Sequence, residues 1–158
     1  MAGNTSILFI CMGNICRSPT AHGVMRKLLE EEGEDIRVEL DSAGTHAWHV
    51  NEAPDPRAQQ AALARGIDIS DLRARAVETP DFREFDYILA MDHDNLEYLD
   101  RIRPPNSKAR VMLMLAFATK TSAENVPDPY YGGKEGFEKV LDMLEDASRG
   151  LLTELRQR

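Results

Sequence analysis

Cys11 and Arg17 bracket five residues in Cys11-Met12-Gly13-Asn14-Ile15-Cys16-Arg17-Ser18, a stretch that opens on a thiol and closes on a guanidinium and a hydroxyl. The apolar run Ser6-Ile7-Leu8-Phe9-Ile10 precedes it and an amphipathic segment follows. That order predicts a strand, a tight loop and the start of a helix. Backbone N–H groups of such a loop converge at a helix N-terminus, where an oxyanion is favoured. With Cys11 at its floor, the loop becomes an oxyanion cradle carrying a nucleophile, and the chemistry it suits is displacement at phosphorus through a cysteinyl-phosphate.

Phosphoryl transfer is mostly positioning and charge stabilisation around three equatorial oxygens. The N–H groups from Met12 through Gly13, Asn14, Ile15 and Cys16 to Arg17 can meet those oxygens. The Arg17 fork matches two of them in a way that a lysine could not. The same positive field favours the Cys11 thiolate, and the Ser18 hydroxyl can steady it as nucleophile and later as leaving group. Gly13 and Asn14 suit loop positions of positive φ.

Such a reaction also needs an acid for the departing oxygen. Asp128, framed by Pro127 and Pro129 on a long polar connection, is the candidate, since two prolines restrict its backbone. A solvated turn aspartate is the commoner fate of that pattern. The adjacent Tyr130-Tyr131 favours a wall for an aromatic ligand instead. Trp48, the single tryptophan, follows a strand end, and at this point a cleft wall and a core position both stay open.

Two blander readings of the cysteines compete. Cys11 and Cys16 could be half of a zinc site completed by His46-x-x-His49, but that His pair is too closely spaced for a finger and Arg17 is left without a role. A buried strand cysteine leaves the order Gly, Asn, Arg, Ser unexplained.

The elements that must position these groups are readable from periodicity. Ala21, Val24, Met25, Leu28 and Leu29 line one face of a helix from Arg17 to about Glu31, with Pro19 in its first turn and Gly33 as its stop. Arg37 to Gly44 reads as a second strand. Asp55 caps a helix that begins at Pro56 and ends near Gly66. Thr79 to Phe85 forms a short helical turn, Asp86 to Met91 a third strand, and Asp92 caps a helix buried through Leu96, Leu99 and Ile102. Ala109 to Leu115 predicts a strand buried on both faces. The last helix carries Phe137, Val140, Leu141, Leu144, Ala147, Leu151, Leu152 and Leu155, with Gly150 as a weak point inside it. Four alternations of strand and helix imply a three-layer αβα domain over residues 1–158, with a four-stranded parallel sheet and right-handed crossovers. Ligands bind such sheets at the carboxyl ends of the strands, where Cys11 falls.

A formal net charge of −8 argues against a general nucleic-acid binder. Two cysteines cannot make a disulfide framework, so reduced thiols and a cytoplasmic location are expected. The N-terminus lacks the basic flank of a signal peptide, no stretch reaches the roughly 18 apolar residues of a membrane span, and no membrane association is expected.

The chain resembles a low-molecular-weight protein tyrosine phosphatase nearly end to end. The resemblance rests on Cys11 to Pro19, Asp41-Ser42-Ala43-Gly44-Thr45, Trp48, Pro54-Asp55-Pro56-Arg57, Gly66-Ile67, Arg73-Ala74-Arg75, Phe85 to Ile88, Met91-Asp92, Asn95-Leu96 and Asp128 to Gly132. An early motif, Ile10 rather than His before the Cys, and an acid far downstream separate this class from other Cys-x5-Arg phosphatases. The resemblance implies a flavodoxin-like strand order, phosphotyrosine proteins as substrates, inorganic phosphate or vanadate as inhibitors, and no cofactor or metal. It implies Cys11 as nucleophile, Arg17 as phosphate ligand and Asp128 as acid and base, with Ser42 holding Asn14, and Trp48 and Tyr130 lining the aryl cleft. Cys16 matches a second loop cysteine that can pair with Cys11 on oxidation. Leu72 stands where many members carry a supporting His, which leaves Asn14 resting on Ser42. Arsenate reduction on a similar scaffold calls for later cysteines that this chain does not have, and a non-catalytic phosphate-binding module would lack Cys11 or Asp128.

Overall fold

The structure is a computed structural model that describes residues 4–158. Four parallel strands, β1 (Thr5–Cys11), β2 (Val38–Gly44), β3 (Tyr87–Ala90) and β4 (Arg110–Leu113), form one sheet in the order β2-β1-β3-β4. That is the flavodoxin-like order, and its switch point lies between β1 and β3, whose registers run Ile7 with Tyr87 to Ile10 with Ala90. Cys11 ends β1 opposite Gly44 of β2. The residues that follow β1 and β3 therefore emerge side by side at the carboxyl edge.

Alternation along the central strands divides the core in two. Ile7, Phe9 and Cys11 of β1 and Tyr87 and Leu89 of β3 pack with α1 (Arg17–Glu32), α2 (Pro56–Leu63) and α5 (Lys134–Arg156). Leu8, Ile10, Ile88 and Ala90 face the other way, against Phe82 of α3 (Asp81–Glu84) and Leu99 of α4 (His93–Ile102). The helix starts obey local chemistry. Asp55 Oδ1 accepts from the Arg57 N–H at 2.8 Å with Pro56 in the first turn of α2. Asp92 Oδ1 accepts from the Asn95 N–H at 2.8 Å at the start of α4.

Two expectations are corrected. The run Ala109 to Leu115 is not one doubly buried strand: β4 lies at the sheet edge with its side chains exposed or half-buried, and the chain then winds into a 3-10 turn over Met114–Phe117. The turn carries Met114 and Leu115 into the core against α5. Gly150 is a tight contact rather than a weak point, because a Cβ there would lie 1.8 Å from the Phe117 carbonyl oxygen. Among the described residues, no helix is long and apolar enough to cross a membrane.

Candidate active site

Cys11, Met12, Gly13, Ile15, Cys16, Arg17, Trp48, Asp128 and Tyr130 line one cavity at the carboxyl edge of the sheet, together with His49 and Tyr131. Asn14, Ser18 and Ser42 lie beneath it as a buried support. Cys16 occupies the N-cap of α1 without a side-chain hydrogen bond, so the first N–H groups of that helix are left to the loop and to any anion it receives.

Two groups approach the Cys11 sulfur. Its Sγ lies 3.0 Å from Ser18 Oγ and accepts from the Asn14 N–H at 3.2 Å. Asn14 sits at φ 58°, a left-handed conformation that asparagine tolerates. Gly13 does not share it, contrary to expectation. A Cβ at Gly13 would come within 3.1 Å of the His49 ring, so the glycine makes room for that ring. The Asn14 amide is oriented by its partners: Oδ1 accepts from the Arg75 N–H at 3.0 Å, so Nδ2 faces Ser18 Oγ at 2.7 Å and Ser42 Oγ at 3.1 Å. Since Ser18 Oγ accepts from Asn14, its own proton can point at Cys11 Sγ at 3.0 Å, with the Ala43 carbonyl at 3.5 Å as the weaker alternative acceptor. Asn14 thus rests on Ser42, Ser18 and the Arg75 main chain, and Leu72 packs half-buried against the apolar core instead.

Arg17 is almost wholly buried. Its Nη1 donates to Asp92 Oδ2 at 2.6 Å and to the Val126 carbonyl at 2.9 Å. Its Nη2 lies 3.8 Å from Asp128 Oδ2. Burial opposes the guanidinium charge, but the field of Cys11 and the bond to Asp92 more than offset it and hold Arg17 above its ordinary pKa. Asp128 Oδ1 accepts from the Tyr130 N–H at 3.0 Å, so the acid candidate and the aromatic beside it form one turn. Burial, reinforced by Asp55, pushes the Cys16 thiol well above the ordinary range and keeps it protonated.

Trp48 is not a core residue: it is 65 % exposed, lines the cavity and stacks on His46 with ring centroids 4.3 Å apart. Tyr130 is partly exposed and lines the same cavity. The zinc alternative finds no geometric support. His46 Nδ1 is bonded to Thr45, His49 Nδ1 faces Glu52, and among the described residues no three His, Cys, Asp or Glu side chains could hold a metal together. Asp92, Val126, Arg75 and His49 were missed as site residues. For Asp92 the signal was present but ambiguous, since a capping role already accounted for it.

Comparisons with known proteins agree with this geometry. The model of the family described as low molecular weight phosphotyrosine protein phosphatase matches residues 6–158. A protein of that description from Schizosaccharomyces pombe is 44% identical over 153 residues, covering 96% of this chain and 97% of its own. One from Sus scrofa is 37% identical, covering 96% of each. A crystal structure of a protein tyrosine phosphatase from Entamoeba histolytica superposes with a TM-score of 0.92 at 40% identity, covering 97% of both chains. These likenesses favour the phosphatase reading over arsenate reduction and over a non-catalytic module.

Proposed function

This chain belongs to the low molecular weight phosphotyrosine protein phosphatase family, and from that premise we propose that it hydrolyses phosphotyrosine in protein substrates through a phosphorylated Cys11. As a member it is a phosphoric monoester hydrolase. The observation that carries the mechanism is the convergence of Cys11 Sγ, the Arg17 guanidinium and the Asp128 carboxyl on one cavity, with Ser18 Oγ 3.0 Å from the sulfur.

The phosphoryl group settles on the loop from Met12 to Ser18. Arg17 commits Nη1 to Asp92 and Val126 and offers its Nε–Nη2 edge as a fork to two oxygens. Trp48 and Tyr130 flank the aryl ring. The Cys11 thiolate attacks phosphorus in line, the bond to the phenolic oxygen breaks, and Asp128 gives its proton to that oxygen. In the second half Asp128 takes a proton from water, the water oxygen bonds to phosphorus, and the P–S bond breaks. The Ser18 hydroxyl and the Asn14 N–H receive the charge returning to sulfur. Inorganic phosphate, the product, and vanadate, its analogue, occupy the same cradle as inhibitors.

Two finer assignments belong to the same proposal. Cys16 guards Cys11: when peroxide converts the Cys11 thiolate to a sulfenic acid, the Cys16 thiol displaces water and closes a disulfide. Two free, buried thiols suit the reducing cytoplasm.

The test is turnover of p-nitrophenyl phosphate in the presence of a chelator. Wild type should hydrolyse it and inorganic phosphate should compete. Cys11→Ser should be inactive while still folded, and chelator-resistant turnover surviving that substitution would overturn the proposal.

A further inference from the structure

Tyr130 stands at the cleft on an exposed loop, and the groups that hold its ring lie outside that loop. Its neighbour Tyr131 meets it edge-on at 5.0 Å but is 93 % exposed and anchors nothing. The ring is reached from the body of the molecule by Arg57, whose guanidinium carbon lies 5.3 Å from the Tyr130 centroid and 5.0 Å from that of Phe137 in α5. Arg57 is itself held. Its Nε and Nη2 fork onto the Asp55 carboxylate at 3.1 and 2.9 Å. The Asp55 main-chain N–H in turn donates to the Ile15 carbonyl at 2.8 Å. An unbroken set of contacts therefore runs from the phosphate loop through Asp55 and Arg57 to the aromatic wall.

Resting on the reading of this cleft as an aryl phosphate site, we propose that Arg57 is a positioning residue for substrate recognition. Its Asp55-locked guanidinium holds the Tyr130 ring against the aryl group while touching no substrate atom itself. Arginine suits the task because a planar fork can bond a carboxylate at its edge and present a face to an aromatic ring. A lysine keeps the charge and loses the fork. A residue that only stapled α2 through Asp55 would change stability and would not discriminate between ligands with and without a ring.

The test is calorimetric binding of phenyl phosphate and of inorganic phosphate to protein carrying Cys11→Ser, which needs no turnover. Arg57→Met should weaken phenyl phosphate about three- to tenfold and leave inorganic phosphate within about twofold, with Arg57→Lys between wild type and Met. In a Tyr130→Ala background Arg57→Met should change phenyl phosphate binding no further, the non-additivity of residues acting through one another. Equal weakening of both ligands, no weakening of either, or full additivity with Tyr130→Ala would overturn the proposal. Thermal unfolding of each variant separates loss of fold from loss of recognition. Wild-type protein without hydrolysis would contradict the catalytic proposal and leave this binding comparison intact.

Discussion

Arg17 Nη1 and Asp92 Oδ2 stand 2.6 Å apart, although 75 residues separate them in the chain. The pairing follows from the sheet: Arg17 opens the helix after β1, Asp92 follows β3, and those strands are neighbours. Asp92 caps α4 with one oxygen and fixes the phosphate-loop guanidinium with the other. Asp92→Asn keeps an acceptor for the cap and removes the charge facing Arg17. It should lower kcat/KM for aryl phosphates about ten- to hundredfold, the range for losing a charge-assisted hydrogen bond, and should also lower the thermal midpoint, because the buried Arg17 guanidinium loses its charge partner. Unchanged kcat/KM would remove Asp92 from the site.

Asp128 and Tyr130 form one turn, so Asp128→Asn can keep the turn while removing the acid. Turnover of substrates with poor leaving groups should fall about 10²- to 10⁴-fold, and activated aryl phosphates should be affected far less. The comparison is the slope of log kcat/KM against leaving-group pKa, which should steepen. A uniform loss across leaving groups would assign Asp128 to binding alone.

Cys16 is buried, and burial raises its pKa and keeps it a thiol. After a peroxide pulse and treatment with dithiothreitol, wild type should recover most of its activity. Cys16→Ala should recover a smaller fraction, because its Cys11 sulfenic acid proceeds to the sulfinic acid. Equal recovery would remove Cys16 from this role.

His22 supplies a pH dependence of stability independent of the catalytic cleft. It is buried on α1 with no partner for Nδ1 among the described residues, and burial, aided by Arg26, pushes its pKa down to about 4 from 6.5. The native state holds it neutral while the unfolded chain protonates it. Stability is therefore fully present above pH 6.5 and is lost as pH falls from there toward about 4, by about 3 kcal/mol in total. Urea unfolding at pH 7 and at pH 4.5 should show this slope in wild type, and His22→Leu should flatten it. An unchanged slope in the variant would place the titration elsewhere.

Much of this architecture was open to local reasoning. The strand–loop–helix around Cys11, the Asp55 cap and the helical face of α5 depend on residues close in sequence, and the structure reproduces them. What could not be read locally depends on which strands become neighbours. The Arg75 N–H reaches Asn14 across 61 residues, and Asp92 reaches Arg17 only because β3 lies beside β1. An apolar run does not announce that it sits at a sheet edge, so Ala109 to Leu115 reads as a strand buried on both faces. Gly150 carried a propensity signal, but its contact with Phe117 belongs to tertiary packing.

The phosphorylated Cys11 is best tested by trapping it. Asp128→Asn is mixed with an activated aryl phosphate labelled in phosphorus, quenched on the millisecond scale, and its peptides are analysed for the label. The label should appear on the peptide containing Cys11 as an acid-labile S-phosphate, approach one per molecule, and vanish in Cys11→Ser. Turnover with no protein-bound phosphorus at any quench time, or label on another residue, would contradict nucleophilic catalysis by Cys11.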